Sequence, residues 1–302
     1  MKIIKPNFFD EFHCLANNCK NTCCANWEIE IDNKSLLKYS NTKKLENIDD
    51  YSIKKNKNYI FKTQNNRCIF LDDDNLCKIV KKYGDKYLCE ICNEFPRFYI
   101  NLKTYRFVGL GLDCEKVVEI VLNLNNAISF NISETNKKFD TNEDKRFIKF
   151  NEILSLTKKY SYFYDFVINY LNLSNIKDSL NNFDFIYETF NIKKIQNINF
   201  EWLNGDSKKL FTYTINNFIH KQNFSDIALK NLFICFLYKH YFDNRIKSNE
   251  KTIIKYSIFM AICCDSLVNL NNHNITENIS KFVRQVEDNF ENIKLLFNLF
   301  LC

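Results

Sequence analysis

Nine of the thirteen cysteines in this 302-residue chain lie within its first 114 residues. These nine are Cys14, Cys19, Cys23, Cys24, Cys68, Cys77, Cys89, Cys92 and Cys114. Thiolates bind zinc, serve as ligands of iron–sulfur clusters and, in pairs, oxidise to disulfides. Because each thiol is also open to oxidative damage, such a density predicts that these cysteines have a chemical role.

Three kinds of site could use these cysteines: a disulfide framework, a structural zinc site or an iron–sulfur cluster. Residues 1–6 lack the apolar run and the cleavage site of a secretory signal. No segment reaches the roughly 18 apolar residues that a membrane span requires. We therefore expect a cytoplasmic protein without a membrane partner, and the reducing cytoplasm disfavours a disulfide framework.

The spacing of the cysteines leaves zinc and iron–sulfur chemistry open. Zinc is commonly held by Cys-x2-Cys pairs, and the chain has one such pair, Cys89 and Cys92. Iron–sulfur sites accept more varied spacing. The Cys-x3-Cys-x2-Cys signature of radical enzymes is absent, because Cys24 directly follows Cys23. Nine thiolates exceed one four-ligand centre, so we expect either two centres or several supporting cysteines.

Composition argues against two other classes of function. With four glycines in the chain, a glycine-rich nucleotide turn is disfavoured, and Gly109-Leu110-Gly111 is interpreted as a tight bend before Cys114. The net charge is +6, but lysines alternate with acidic residues and aromatic residues recur at helical spacing. We therefore expect no nucleic-acid partner.

The local patterns predict an α+β protein that is mainly α-helical. Residues 1–128 are predicted to form a small cysteine-rich, metal- or cluster-binding domain with short hairpins. Residues 129–145 are polar and mark the boundary. Residues 146–302 repeat apolar side chains at i, i+3 and i+4, which predicts an all-α-helical domain.

Some elements can be predicted more closely. Alternating side chains over 27–31 predict a strand, Asp32 is a candidate helix cap, and Gly84 a helix stop. The residues over 99–112 predict a hairpin, and Ile275–Phe300 is expected to be one helix with a single apolar stripe. Four further cysteines are expected to be small buried hydrophobic residues: Cys235, Cys263, Cys264 and Cys302.

Three motifs in the amino-terminal region share a recognisable spacing. They are Phe12-x-Cys14-x4-Cys19-x3-Cys23-Cys24-x2-Trp27-x-Ile29-x-Ile31-Asp32, Cys68-x-Phe70-Leu71-x4-Leu76-Cys77 and Leu88-x3-Cys92-x2-Phe95-Pro96-Arg97. This pattern, with Cys114 after it, resembles the flagellin lysine-N-methylase family, which is related to a wider group of zinc- or iron-chelating cysteine-cluster proteins. The resemblance continues more weakly over 231–242 and 282–292, where Asp288 replaces a histidine that is usual in the family.

The resemblance implies transfer of a methyl group from S-adenosylmethionine to the ε-amino group of flagellin lysines, so that flagellin is the expected partner. It also implies a [4Fe–4S] cluster on the amino-terminal cysteines, with Cys14 and Cys89 the less certain members of the set. An iron with an open position could hold the methionine part of the cofactor in place of a glycine-rich turn. Arg97, Arg284 and Glu287 are the expected cofactor-binding residues, and Glu291 is expected on the same helical face as the last two.

Two alternatives remain at this point. The first is a non-enzymatic protein in which zinc staples the cysteine-rich region and the helical region binds a partner protein. The second is a redox enzyme that uses Cys89 and Cys92. The second is weak because the βαβ context of such a pair is not visible in the sequence.

Overall fold

The computed structural model describes residues 1–43, 45–133, 141–171, 182–218, 222–246, 248–270 and 274–301. Its strands are β1 (Lys2–Pro6), β2 (Glu30–Ile31), β3 (Ser52–Lys55), β4 (Asn58–Phe61), β5 (Thr63–Gln64), β6 (Arg67–Cys68), β7 (Arg97–Asn101), β8 (Tyr105–Leu110) and β9 (Phe130–Ser133). Its α-helices are α1 (Asn33–Ser40), α2 (Lys78–Tyr83), α3 (Glu90–Glu94), α4 (Glu115–Leu122), α5 (Thr141–Lys159), α6 (Phe163–Tyr170), α7 (Asn182–Thr189), α8 (Ile192–Gln196), α9 (Gly205–Asn216), α10 (Asp226–Tyr241), α11 (Glu250–Ser266), α12 (Ile275–Glu287) and α13 (Phe290–Phe300). The predicted mixture of helices and strands is confirmed.

The chain divides into two compact units. The smaller unit is His13–Arg97, and the larger combines Met1–Phe12 with Phe98–Cys302. These limits differ from the predicted domains, 1–128 and 146–302, because the first strand pairs with β8 and β9 and so joins the larger unit. Residues 134–140 of the predicted boundary lie outside the described part of the chain.

The larger unit contains a four-stranded sheet in the order β7-β8-β1-β9. β1 is parallel to β8 and antiparallel to β9, with Ile4 opposite Phe107 and Ile132. The predicted hairpin over 99–112 corresponds to β7 and β8. The Tyr238 hydroxyl of α10 donates to the Ile4 carbonyl at 2.6 Å, and the Phe107 ring stacks on Phe242 at 3.7 Å. Aromatic packing therefore joins the sheet to α10 within one core.

Helices α10 and α11 form the centre of the larger unit. Nearly all of their residues are buried, as expected of helices that are apolar on every side. Cys263 and Cys264 are fully buried and Cys235 is half-buried, whereas Cys302 lies outside the described residues. Among the described residues after Thr141, every regular element is a helix, in line with the prediction for this part of the chain.

The predicted single helix over Ile275–Phe300 is wrong, because the chain breaks after α12. Asn289 caps α13 by accepting hydrogen bonds from the amides of Glu291 and Asn292 at 2.8 and 3.2 Å. The apolar stripe continues across the break, so hydrophobic periodicity alone cannot detect it. The break separates Glu291 from Arg284 and Glu287, and Glu291 instead forms an exposed ion pair with Lys294.

The smaller unit combines an antiparallel sheet, β2-β4-β3, with the hairpin β5-β6 and three short helices. Asp32 caps α1 as predicted, accepting from the Ser35 amide at 2.8 Å. Gly84 ends α2 with φ +82°, also as predicted. The predicted strand over 27–31 is reduced to its last two residues. This unit has its own core, to which five cysteines contribute.

Candidate functional site

Six cysteines of the smaller unit lie close enough to influence one another electrostatically. They are Cys23, Cys24, Cys68, Cys77, Cys89 and Cys92, called the thiol group below. Cys68 ends β6, and Cys77 and Cys89 precede the first turns of α2 and α3, with Cys92 inside α3. Hairpin ends and helix starts therefore bring together side chains from three separate stretches of sequence.

The environment of the thiol group opposes multiple ionisation. Burial, together with the charges of Cys24, Cys77 and Cys89, raises the pKa of Cys68 to about 12. Burial and the charges of Cys24 and Cys89 also raise the pKa of Cys77. A hydrogen bond from Cys92 lowers the pKa of Cys89 and correspondingly raises that of Cys92. A cation bound among these sulfurs would offset this repulsion, since thiolates are the form that binds metal.

The other three predicted metal-site cysteines lie elsewhere. Cys14 is exposed, and its sulfur accepts the Ala16 amide at 3.3 Å; Cys19 is half-buried. Cys114 precedes α4 and belongs to the larger unit. Within the described ranges, the cysteines are present as thiols, and no three Cys, His, Asp or Glu side chains are placed to share one metal ion.

A second candidate site lies in the larger unit, around Glu287. This carboxylate has no exposed surface, and it accepts the Lys239 ammonium at 2.7 Å and the Tyr256 hydroxyl at 3.1 Å. His240 Nε2 lies 2.7 Å from Glu287 Oε1. An ionised carboxylate can only accept, so Nε2 carries the hydrogen, and the buried Nδ1 of His240 has no hydrogen-bond partner.

The pKa of Glu287 reflects these contacts. Burial alone would raise it, but Lys239 and His240 outweigh burial and lower the pKa of Glu287 to about 2. Glu287 is therefore a permanent anion at neutral pH. Its position at the carboxyl end of α12, where the helix dipole is unfavourable for an anion, makes the contact with Lys239 all the more necessary.

Arg284 links Glu287's helix to the loop that follows β8. Its guanidinium is buried, donates to the Asp113 carbonyl at 3.2 Å and has Nε 3.9 Å from Asp288 Oδ2. Burial and the charge of Asp113 raise the pKa of Asp288 to about 8, although Lys239 and Arg284 act in the opposite direction. The side chains of Asp288 and Lys239 keep 21% and 22% exposure, so the site reaches solvent at these two residues.

The loop after β8 is shaped by its glycines. A Cβ on Gly111 would lie 2.0 Å from Asp113 Oδ1, and a Cβ on Gly109 would lie 2.2 Å from the Phe98 ring. Gly111 therefore leaves room for the Asp113 carboxylate, and Gly109 for a ring packed on the sheet. Gly109 lies within β8 rather than in the bend that the sequence analysis expected.

The structure brings together two of the three predicted cofactor-binding residues. Arg284 and Glu287 belong to the same ionic group, called the ionic site below, with Lys239, Asp113 and Asp288. Arg97 is half-buried at the start of β7 and belongs with the smaller unit. Sequence reasoning assigned no role to Asp113 or Tyr256. A lysine and a histidine at the end of the otherwise apolar α10 were the available signal.

The fold and the two sites define a mixed α+β protein with a thiol-rich unit and a buried ionic site. Part of the chain is similar in sequence to curated proteins named Lysine-N-methylase, as the resemblance to the flagellin lysine-N-methylase family predicts. It is 29% identical over 136 residues to the flagellar biosynthetic protein FliU of Salmonella muenchen, covering 40% of this chain and 77% of that protein. It is 31% identical over 130 residues to the Lysine-N-methylases of Salmonella typhimurium and Salmonella choleraesuis.

The match to the two Lysine-N-methylases covers 40% of this chain and 32% of each relative. The chain therefore matches about a third of the length of these relatives. No protein-family profile and no solved structure matches the chain. In the described part of the chain, none of the helices has the length and apolar character needed to span a bilayer.

Proposed function

We propose that the protein transfers methyl groups from S-adenosylmethionine to lysine ε-amino groups of flagellin, with the help of an iron–sulfur cluster. The observation that carries this proposal is the sequence relationship to two proteins named Lysine-N-methylase. The similarity to FliU, a flagellar biosynthetic protein by name, supports flagellin as the substrate. We also propose a cytoplasmic location, because crowded thiols persist best in a reducing compartment.

The donors in the smaller unit suit a cluster. Six cysteines lie within electrostatic range of one another, and their mutual repulsion is of the kind that bound iron would offset. In a [4Fe–4S] cluster each thiolate binds a different iron, so its sulfurs are spread more widely than four sulfurs on one tetrahedral zinc.

The proposed roles of the cluster and of the residues around it follow from these donors. A bound cluster would supply an open coordination position for the methionine part of the methyl donor. The thiol group would hold the cluster, so that His13–Arg97 is the cysteine-rich cluster-binding region of the protein. Arg97, Arg284 and Glu287 remain the proposed cofactor-binding residues.

The test is purification without oxygen, followed by iron, sulfide and zinc analysis and by incorporation of labelled methyl from S-adenosylmethionine into flagellin. We expect iron and sulfide in the purified protein and label in flagellin, but none in flagellin whose lysines have been acetylated beforehand. Cys77→Ala should lose iron and transfer. Cys235→Ala is the matched control, since Cys235 is equally half-buried but lies in the larger unit. It should retain both.

The opposite outcome is equally clear. Stoichiometric zinc without iron, together with unlabelled flagellin, would reject the methylase proposal and favour the zinc-stapled binding protein. Iron that survives Cys77→Ala but is lost with Cys14→Ala or Cys114→Ala would assign the cluster to a different set of the nine cysteines.

A further inference from the structure

The ionic site brings three carboxyl groups together with two cations. Its two cations are Lys239 and Arg284, and its carboxylates are Asp113, Glu287 and Asp288. Lys239 is committed to Glu287 at 2.7 Å. Lys239 and Arg284 both favour ionisation of Asp288, and Arg284 Nε lies 3.9 Å from Asp288 Oδ2.

The Asp113 carboxylate is buried with one oxygen unpaired, which costs free energy of folding. The residue is 8% exposed, and its Oδ1 has no hydrogen-bond partner in the described structure. A buried carboxylate oxygen without a donor loses the hydrogen bonds that water would give it. The space that Gly111 leaves for this carboxylate is therefore used to hold an unsatisfied acceptor, which points to a ligand that donates hydrogen bonds.

Asp288 provides the access that such a ligand needs. Its side chain keeps 21% exposure, while Glu287 behind it has none. Burial and the charge of Asp113 both disfavour ionisation of Asp288, so an added positive charge would stabilise both carboxylates at once. With its pKa raised to about 8, Asp288 titrates close to neutral pH, and a cation bound beside it and Asp113 would favour the ionised form that accepts a proton.

The chemistry of the site selects the kind of cation. A guanidinium is already present in Arg284, and no three acidic, His or Cys side chains of the described residues are placed to share a metal ion. A primary ammonium group carries one charge and three N–H donors at the end of a narrow alkyl chain. Three donors are enough to serve both Asp113 Oδ1 and the Asp288 carboxylate.

We propose that Asp113 and Asp288 bind a primary alkylammonium group and that Asp288 accepts one of its protons. This assignment rests on the proposed function insofar as it identifies the ammonium with the substrate lysine. In the proton transfer an N–H bond of the ammonium breaks and an O–H bond forms on the Asp288 carboxylate. The nitrogen keeps the electron pair, which makes the amine a nucleophile.

The surrounding residues have positioning roles in this proposal. Glu287 holds the Lys239 ammonium at 2.7 Å and so keeps it from pairing directly with Asp288. Arg284 donates to the main-chain carbonyl of Asp113, whose side-chain Oδ1 has no hydrogen-bond partner in the described structure. Gly111 keeps the carboxylate in place.

The experiment compares two fluorescein-labelled peptides that are identical except for one central residue, lysine in one and methionine in the other. Fluorescence anisotropy gives their dissociation constants with the full-length protein and its variants. We expect the wild type to prefer the lysine peptide, and Asp288→Asn and Asp113→Asn each to weaken lysine binding by about tenfold or more. Asp206→Asn is the control, because that side chain is 92% exposed on α9.

S-adenosylmethionine also carries a primary ammonium, on its methionine part, so its binding is measured by calorimetry on the same variants. A loss confined to the lysine peptide assigns the site to the protein substrate, and a loss confined to S-adenosylmethionine assigns it to the methyl donor. If neither ligand is weakened, the ammonium site is rejected. Folding is checked by thermal melting, where Asp288→Asn should be at least as stable as the wild type because it removes a repulsion.

Methyl transfer separates this proposal from the proposed function. Lysine preference that the variants lose, in a protein that methylates nothing, would leave the ammonium site standing and reject the methylase. Methyl transfer with unchanged KM and kcat in Asp288→Asn and Asp113→Asn would support the methylase and reject the ammonium site. For a group that accepts the proton, kcat should fall in Asp288→Asn, whereas for Asp113→Asn we expect chiefly a higher KM.

Discussion

Replacing Glu287 by glutamine tests the ionic site as a source of stability. The change keeps the shape of the side chain and removes its charge. The amide oxygen can still accept from His240 and Tyr256, as Oε1 does now. The amide nitrogen would then occupy the place of Oε2, where it would face the Lys239 ammonium with donors on both sides.

The expected cost follows from the pKa of Glu287. Lowering this pKa from 4.5 to about 2 corresponds to about 3 kcal/mol in favour of the folded state at neutral pH. Breaking a buried ion pair typically costs about 3–5 kcal/mol. We expect the lower end, since the Lys239 side chain is 22% exposed and can turn towards water. A loss of about 3 kcal/mol should lower Tm by roughly 6–12 °C in a unit of this size.

The assay uses the two tryptophans of the chain. Trp202 belongs to the larger unit, 5.5 Å from the Phe211 ring, and Trp27 to the smaller unit. In a Trp27→Phe background, the fluorescence of Trp202 reports urea unfolding of the larger unit alone. Glu291→Gln is the matched control, because Glu291 is 62% exposed and pairs with an exposed lysine. Its effect should stay within about 0.5 kcal/mol.

An equal effect of the two substitutions would refute this reasoning. It would mean that Lys239 and Glu287 do not form a desolvated ion pair, and the positioning role of Glu287 at the ammonium site would then also fail. A loss much larger than about 5 kcal/mol would instead indicate that the unit no longer folds, and Lys239→Met would serve as the second variant.

Two further predictions follow from the same residues. Gly111→Ala should displace the Asp113 carboxylate and raise KM for the lysine substrate about tenfold, measured by steady-state methyl transfer, while Gly205→Ala, where a Cβ meets nothing within 4 Å, should leave KM unchanged. The stabilising effect of Glu287 is complete above its unfolded pKa and is lost as pH falls through its folded pKa of about 2. Urea unfolding should therefore show a steeper loss of stability from pH 4.5 to 2 in the wild type than in Glu287→Gln, and parallel curves would contradict the lowered pKa.

Local rules predicted the elements whose cause is local. Asp32 caps a helix and Gly84 ends one, because each depends on residues within one turn of chain. The break at Asn289 was missed because a local cap competes there with an apolar stripe that continues through it. The pairing of β1 with β8 brings together residues about a hundred positions apart, and no local pattern encodes that contact.

The candidate sites divide in the same way. The cysteines could be identified individually, but the membership of the thiol group depends on how hairpins and helix starts fold together. Asp113 and Lys239 are far apart in sequence, and each resembles an ordinary charged residue. Only the burial of Asp113, the missing partner of its Oδ1 and the contact of Lys239 with the buried Glu287 identify them as members of a site. Such information comes from tertiary packing.

The most direct test of the proposed function is site-resolved mass spectrometry of flagellin after incubation with the anaerobically purified protein and S-adenosylmethionine. We expect methyl groups on lysine side chains, absent when the donor or the protein is omitted and strongly reduced with Cys77→Ala. Flagellin that remains unmodified in the presence of an iron-loaded, folded protein would contradict the central claim that this chain is a lysine methylase.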